Sequence, residues 1–329
     1  MPIVVNTNAA ATTAAFNLSK NHANLSKSLA RLSSGQRITS PAEDAGGLAV
    51  AYKLDSSMKR TEAVLNNHQN ALSYLQVQDG ALESVGNIVS RMSELRTMAA
   101  DVTKNSSDIA NYSKEFQELQ VQLKQVSREK FNGISLFAVN GSASGSTGLQ
   151  ALGKLQSASS ESYKFNDEVG SEKISVYQKF SVQLLTHPSG IGADGSISLN
   201  VTNIEYMLGL DGRDLTLFGT SNQSPTKSIG NASVIENIAD VSVYQFTHII
   251  EKIADARAEN GAEQQRVQSS YDLHSTNLVN LEAAHSRIMD IDVALESTRF
   301  AKHNVLVQAS ASMTAQANQL SQVALTLLQ

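Results

Sequence analysis

All 31 acidic residues of this chain lie between Glu43 and Glu296, and that confinement limits what its two ends can fold into. The first 40 residues hold four bases, Lys20, Lys27, Arg31 and Arg37, and no acid. The last 33 hold Arg299 and Lys302, and no charged side chain follows. The middle is left with 20 bases against 31 acids. Both ends are rich in Ala, Ser, Asn, Gln and Leu, and both space their apolar residues as helices do. A helix with no charged face is poorly matched to water and well matched to surrounding protein. These arms carry too few large apolar residues to offset the entropy of ordering them alone. They are therefore expected to be largely disordered in a monomer and to fold when neighbouring copies cover them. The first inference is assembly.

Composition narrows the alternatives. A chain of 329 residues has room for two or three domains. A net charge of −5 argues against a dedicated nucleic-acid binder. Cysteine is absent, which excludes a disulfide framework, a thiolate metal site and a thiol nucleophile. No run of 18 apolar residues occurs, so no helical membrane insertion is expected. The N-terminus lacks the apolar core and small-residue cleavage site of a secretory signal peptide. An acid-free, Ser-rich start also fits a mitochondrial transit peptide, but no import signal needs the matching C-terminal arm.

Glycine divides the chain into three. Thirteen of the 19 glycines fall between Phe131 and Gly230, so the flanks read as helix and the middle as turns and short strands. In the first flank Leu18, Leu25, Leu29 and Leu32 step by seven, four and three. Asp79-Gly80-Ala81-Leu82 opens a stretch with Leu82, Val85, Val89, Met92 and Ala99 on one face. After the helix-start cluster Asn105-Ser106-Ser107-Asp108, Ile109, Tyr112, Phe116, Leu119, Leu123 and Val126 form an unbroken 3-4 seam. Phe131-Asn132-Gly133 reads as a turn. Pro41 should interrupt the first flank, and Glu43-Asp44 behind it suits a helix N-terminus.

In the second flank Ile249, Ile253 and Ala256 begin a helical pattern that Leu278, Leu281, Ile288, Ile291 and Leu295 continue. Leu306, Ala309, Met313, Gln316, Leu320, Val323 and Leu327 finish it. No proline follows Pro225, so about a hundred residues are expected to be near-continuous helix. The pattern predicts a mainly α fold: a long antiparallel helical bundle, or coiled coil, from both termini with a small β-rich central insertion. Three regions follow: terminal arms 1–40 plus 286–329, a charged bundle with a hairpin at 41–140 plus 231–285, and a variable outer domain at 141–230. Strands are expected in Lys173–Leu185, Ser196–Val201 and Asp214–Phe218, after a low-complexity loop from Asn140 to Ser146.

Motifs for chemistry are missing. The seven histidines show no metal-ligand spacing, and no GxSxG, P-loop or GxGxxG occurs. His274 and His285, eleven apart, read as ordinary helix histidines. No cofactor and no enzymatic activity is expected.

Specific local sequences then appear. Arg31-Leu32-Ser33-Ser34-Gly35-Gln36-Arg37-Ile38-Thr39-Ser40, followed by Glu43-Asp44-Ala45-Gly46-Gly47-Leu48-Ala49, closely resembles the N-terminal signature of bacterial flagellin. Ser286-Arg287-Ile288-Met289-Asp290-Ile291-Asp292 and Ala315-Gln316-Ala317-Asn318-Gln319 are similar to that family's C-terminal signatures. The resemblance covers roughly residues 1–140 and 232–329. Gln36 stands where the family usually has leucine, and Gly46 where alanine is usual.

The resemblance implies a structural subunit that polymerises head-to-tail into the bacterial flagellar filament for swimming motility. It would be secreted through the flagellar export apparatus and lie outside the cell. A hook–filament junction protein forming a single ring is the alternative. Self-contact would run along a polymerisation seam of Leu18, Leu25, Leu29, Leu32, Leu306, Met313, Leu320, Val323 and Leu327. The family also implies an export chaperone for the C-terminus, with filament cap and hook-junction proteins as partners. Arg91, Glu94 and Leu95 resemble the patch by which flagellin monomers engage a Toll-like receptor. Met98, where recognised relatives usually carry glutamine, implies weaker engagement.

Overall fold

The computed structural model describes residues 8–137, 155–166, 172–202, 204–208 and 238–326. The fold is mainly α, as the residue spacing predicts. Chain contacts divide it into two units, Met1–Lys59 with Asn277–Gln329, and Arg60–Thr276. Two long helices contribute to both units: α2 (Ala45–Ala99) and α5 (Val243–Met289).

In the first unit α1 (Ala9–Ser34) packs antiparallel to α6 (Val293–Thr326). Asn8 caps α1 by accepting from the Ala11 N–H, and its amide also donates to the Ala317 carbonyl on α6 at 2.7 Å. The helix ends at Gly35, whose φ of +70° suits only a residue without Cβ; its N–H closes onto the Arg31 carbonyl at 2.8 Å. The interruption expected at Pro41 therefore begins six residues earlier. Asp44 caps α2, accepting from the Gly47 N–H at 2.8 Å.

The second flank is not continuous helix. The chain leaves α5 at Met289, and Asp290 bridges to Gln36 as a single antiparallel pair. The Ile291 N–H donates to the Gly35 carbonyl at 3.3 Å, and the Arg37 N–H donates to that of Met289. Asp292 then caps α6 by accepting from the Ala294 and Leu295 N–H groups. The break needs no proline, because an N-capping carboxylate and a bridge to the other chain end satisfy the freed backbone.

In the second unit α2 runs unbroken through Asp79-Gly80, where the sequence suggests a new start. The side of Gly80 is open, with no atom within 4 Å of where a Cβ would stand. Leu75, Leu82, Val85, Val89, Met92 and Leu95 are all essentially inaccessible. They meet α3 (Ser106–Val126), whose Phe116, Leu123 and Val126 are buried as its 3-4 seam requires. A complete capping box starts α3: the Asn105 side chain accepts from the Asp108 N–H, and the Asp108 carboxylate from the Asn105 N–H. A two-residue turn with Asn132 at φ 49° and Gly133 at φ 81° joins β1 (Lys130–Phe131) to β2 (Ile134–Ser135). That is the type I′ geometry which suits the twist of a hairpin.

The insertion supplies an antiparallel sheet in the order β3 (Leu155–Asn166), β4 (Glu172–Leu185) and β5 (Ser196–Val201). Two of its strands match the expected segments. The third expected segment, Asp214–Phe218, lies outside the described residues. Strand β3 is an addition, since its Ser-rich sequence carries little strand signal. Ile197 and Leu199 of β5 join the main core, with Ile204 and Met207 of the short α4 (Ile204–Met207). Asn200 of β5 donates its backbone N–H to Glu263 and its amide to Glu259, both on α5.

Candidate assembly face

The terminal pair buries only part of its apolar residues and leaves several large ones exposed. The less exposed stripe of α1 runs through Leu18, Asn21, Leu25, Ser28 and Leu32. That of α6 runs through Phe300, His303, Val307, Ser310, Thr314 and Ala317. Both stripes keep 3-4 spacing, but half of their residues are small or polar. Asn21 donates to the Ser310 hydroxyl at 2.8 Å across the pair. The more apolar stripe of α6 lies one position away, a rotation of about 100°. On it Leu306 is 36% and Met313 64% exposed.

Six residues of the expected seam can thus be placed by their exposure. Leu18, Leu25 and Leu32 are half-buried between α1 and α6, while Leu29, Leu306 and Met313 face outward. Leu320 and Val323 continue α6, their side chains lying outside those described, and Leu327 lies outside the described residues altogether. Phe16, Val293, Leu295 and Val305 are also exposed and add to the outward apolar surface. Of these, helical period marks Leu295, whereas Phe16 and Val305 fall between the stripes it selects.

Where the two arms meet the charged region, two carboxylates hold α1. Glu43 takes Lys27 at 3.0 Å and Arg31 at 3.2 Å. Burial pushes the Glu43 carboxyl up, but the Lys27, Arg31 and Thr39 donors outweigh it and hold it below the usual carboxylate range. Glu296, 4% exposed, is held low in the same way: burial is outweighed by the Ser28 hydroxyl and the Arg299 and Arg31 guanidiniums. This anchor was not found from the sequence, since Glu43 and Glu296 are far apart along the chain.

Arg91 and Glu94 are solvent-facing on α2 and pair at 3.1 Å, with Glu115 of α3 taking the other side of Arg91 at 2.8 Å. Leu95 is fully buried in the bundle, so only Arg91 and Glu94 present side chains to a partner. Met98 packs part-buried against the same core. Among the described residues, no group of three or more His, Asp or Glu could hold a metal ion, and no helix is long and apolar enough to cross a membrane.

An antiparallel pair of terminal helices that keeps Leu29, Leu306 and Met313 exposed is the construction of a polymerising structural subunit. The comparisons agree. The bacterial flagellin N-terminal helical region matches residues 5–142, and the bacterial flagellin C-terminal helical region matches residues 244–328. Flagellin of Bacillus subtilis strain 168 is 31% identical over 335 residues, covering 98% of this chain and 99% of its own. The flagellar filament 33 kDa core protein of Treponema phagedenis is 27% identical, over 99% of this chain and 100% of its own. Flagellin A of Vibrio cholerae El Tor Inaba N16961 is 26% identical over 100% of both chains. The chain belongs to the bacterial flagellin family. It is a subunit of the extracellular flagellar filament, and the hook-junction alternative has no better support.

Proposed function

We propose that copies of this chain add head-to-tail, with residues 1–40 and 286–329 forming the inner tubes. In this reading 41–140 with 231–285 form an outer tube, and 141–230 lie on the filament surface. The supporting observation is the outward apolar stripe of Leu306 and Met313, set beside an intramolecular seam in which small and polar residues alternate with apolar ones. A head-to-tail contact whose rotation does not close yields an open helical polymer. Deleting residues 306–329 removes the stripe and leaves the Arg60–Thr276 core intact. The truncated chain is expected to stay helical by circular dichroism and to form no filaments on seeding. Normal filaments from it would overturn the proposal. Met313→Asp should also block assembly, because a neighbour would bury an unpaired carboxylate, whereas Ser157→Asp on β3 should assemble normally.

The partners follow the same logic. An export chaperone would cover the C-terminal arm, which carries no Asp, Glu, Lys or Arg after Lys302, before assembly, and cap and hook-junction proteins would receive it at the filament ends. Toll-like receptor engagement would rest on the exposed Arg91–Glu94 pair. A receptor-reporter assay on monomer that is unchanged by Arg91→Ala would remove that role.

A further inference from the structure

Two polar layers interrupt the apolar seam between α2 and α5, and they differ in kind. At one, the Asn260 amide donates to the Gln78 side-chain oxygen at 2.8 Å, and Gln78 donates in turn to the Leu136 carbonyl at 2.9 Å. At the other, the rings of His68 and His274 lie 5.6 Å apart, 1% and 9% exposed. His68 Nδ1 sits 2.7 Å from the Val64 carbonyl, an acceptor only, so Nδ1 carries the hydrogen. Nε2 is then free to accept from the Ser270 hydroxyl at 2.9 Å. The geometry points to a pH-responsive layer: protonation of His274 against the His68 ring loosens α2 from α5 at that level, while the Gln78–Asn260 layer holds at any pH.

The charges around the layer favour this. No charged residue lies between Glu62 and Asp79 on α2, so that helix brings no carboxylate within a turn of His68. On α5, Tyr271 accepts from Gln69 through its hydroxyl, and the Asp272 carboxylate is taken by Gln268. From the β4–β5 turn comes His187, with Asp194 4.0 Å from it. The groups acting on His274 are thus two more imidazoles. The His187 side chain is half-exposed beside Asp194, so the imidazole pressed against His274 inside the seam is that of His68, where little water screens a charge.

Burial first, then His68 and His187, hold His274 below its ordinary value. The unfolded chain therefore binds more protons below about pH 6.5, the usual histidine value. Stability is complete above that pH and falls as pH drops through the folded value. For each proton taken up on unfolding, the unfolding constant should rise by up to about tenfold per pH unit.

The test is urea unfolding of the full-length monomer from pH 8 to pH 5, in parent, His274→Leu and His285→Gln. Carboxylates contribute alike to all three. The parent and His285→Gln should weaken together on acidification, and His274→Leu should weaken less. Equal slopes in all three would overturn the proposal. If His274→Leu fails to fold, the His274 ring signal of the folded parent decides by NMR. Titration below the usual histidine value supports the layer, and titration at or above it overturns the layer. The outcome is independent of filament formation.

Discussion

The chain contains two antiparallel helix pairs of opposite construction. Between α2 and α5 the seam is filled by Leu75, Leu82, Val89, Ile253 and Val267, nearly all inaccessible. Between α1 and α6 the same 3-4 spacing mixes Leu18, Leu25, Leu32, Phe300 and Val307 with Asn21, Ser28, Ser310, Thr314 and Ala317, while Phe16, Leu29 and Met313 stay outside. One pair fills its seam with fully enclosed apolar side chains. The other dilutes its seam with small and polar ones and leaves further apolar area for contacts that a single copy cannot make. Helical period is therefore common to both, and what separates a self-sufficient bundle from an assembly element is how completely the seam encloses the large side chains.

The sharpest way to break that comparison is to truncate one residue of each kind. Leu75→Ala should cost the monomer about 2–5 kcal/mol, because a fully enclosed side chain leaves a cavity. Met313→Ala should change monomer stability by less than about 0.5 kcal/mol while slowing filament growth. Urea unfolding and seeded light scattering separate the two readouts. Similar losses in monomer stability would erase the distinction.

Next in size is Gln78→Leu. Asn260 would lose its side-chain acceptor and the Leu136 carbonyl the shorter of its two donors, leaving the Tyr74 hydroxyl at 3.5 Å, at about 1–3 kcal/mol by the same unfolding assay. An unchanged midpoint would mean that the amide layer does not specify this pair.

Acid should act on the terminal pair through Glu43 and Glu296. Both are held low in the folded chain, so their stabilisation is present above the ordinary carboxylate value and is lost as pH falls through the depressed ones. Protection of α1 amides against hydrogen exchange, relative to the intrinsic rate at each pH, should fall below pH 4.5 in the parent. It should already be reduced at neutral pH in Glu296→Gln. Arg91→Ala should leave the urea midpoint of the monomer nearly unchanged, since the Glu94 and Glu115 pairs are exposed and screened.

Much of this architecture was legible in the residues. The α3 seam and its Asn105 cap, the Asn132-Gly133 turn and the glycine-rich middle each carry a local signal that tertiary contacts reinforce. The stop at Gly35 and the break at Asp290–Asp292 were less so. A capping carboxylate between two ordinary helical stretches resembles any surface acid until its backbone partners are known. The inward stripe of α6 was hidden because spacing arguments favour the most apolar stripe, Leu306–Met313. The stripe that meets α1 is chosen by how closely small residues let two backbones approach. The polar layers at Gln78 and His68 were invisible for a related reason: pairing across α2 and α5 joins residues about 180 to 210 positions apart.

The Gln78–Asn260 contact also bears on how a newly made chain finds its alignment. The two helices meet in opposite directions, so sliding one by a heptad keeps apolar residues facing apolar residues almost everywhere. At this level it does not. A slip either way sets Gln78 against Ile253 or Val267 and carries Asn260 away from its partner. Each stranded amide then costs about 1–3 kcal/mol. A long repetitive zipper is thus given one starting tooth, and every copy can close in the same frame without a template.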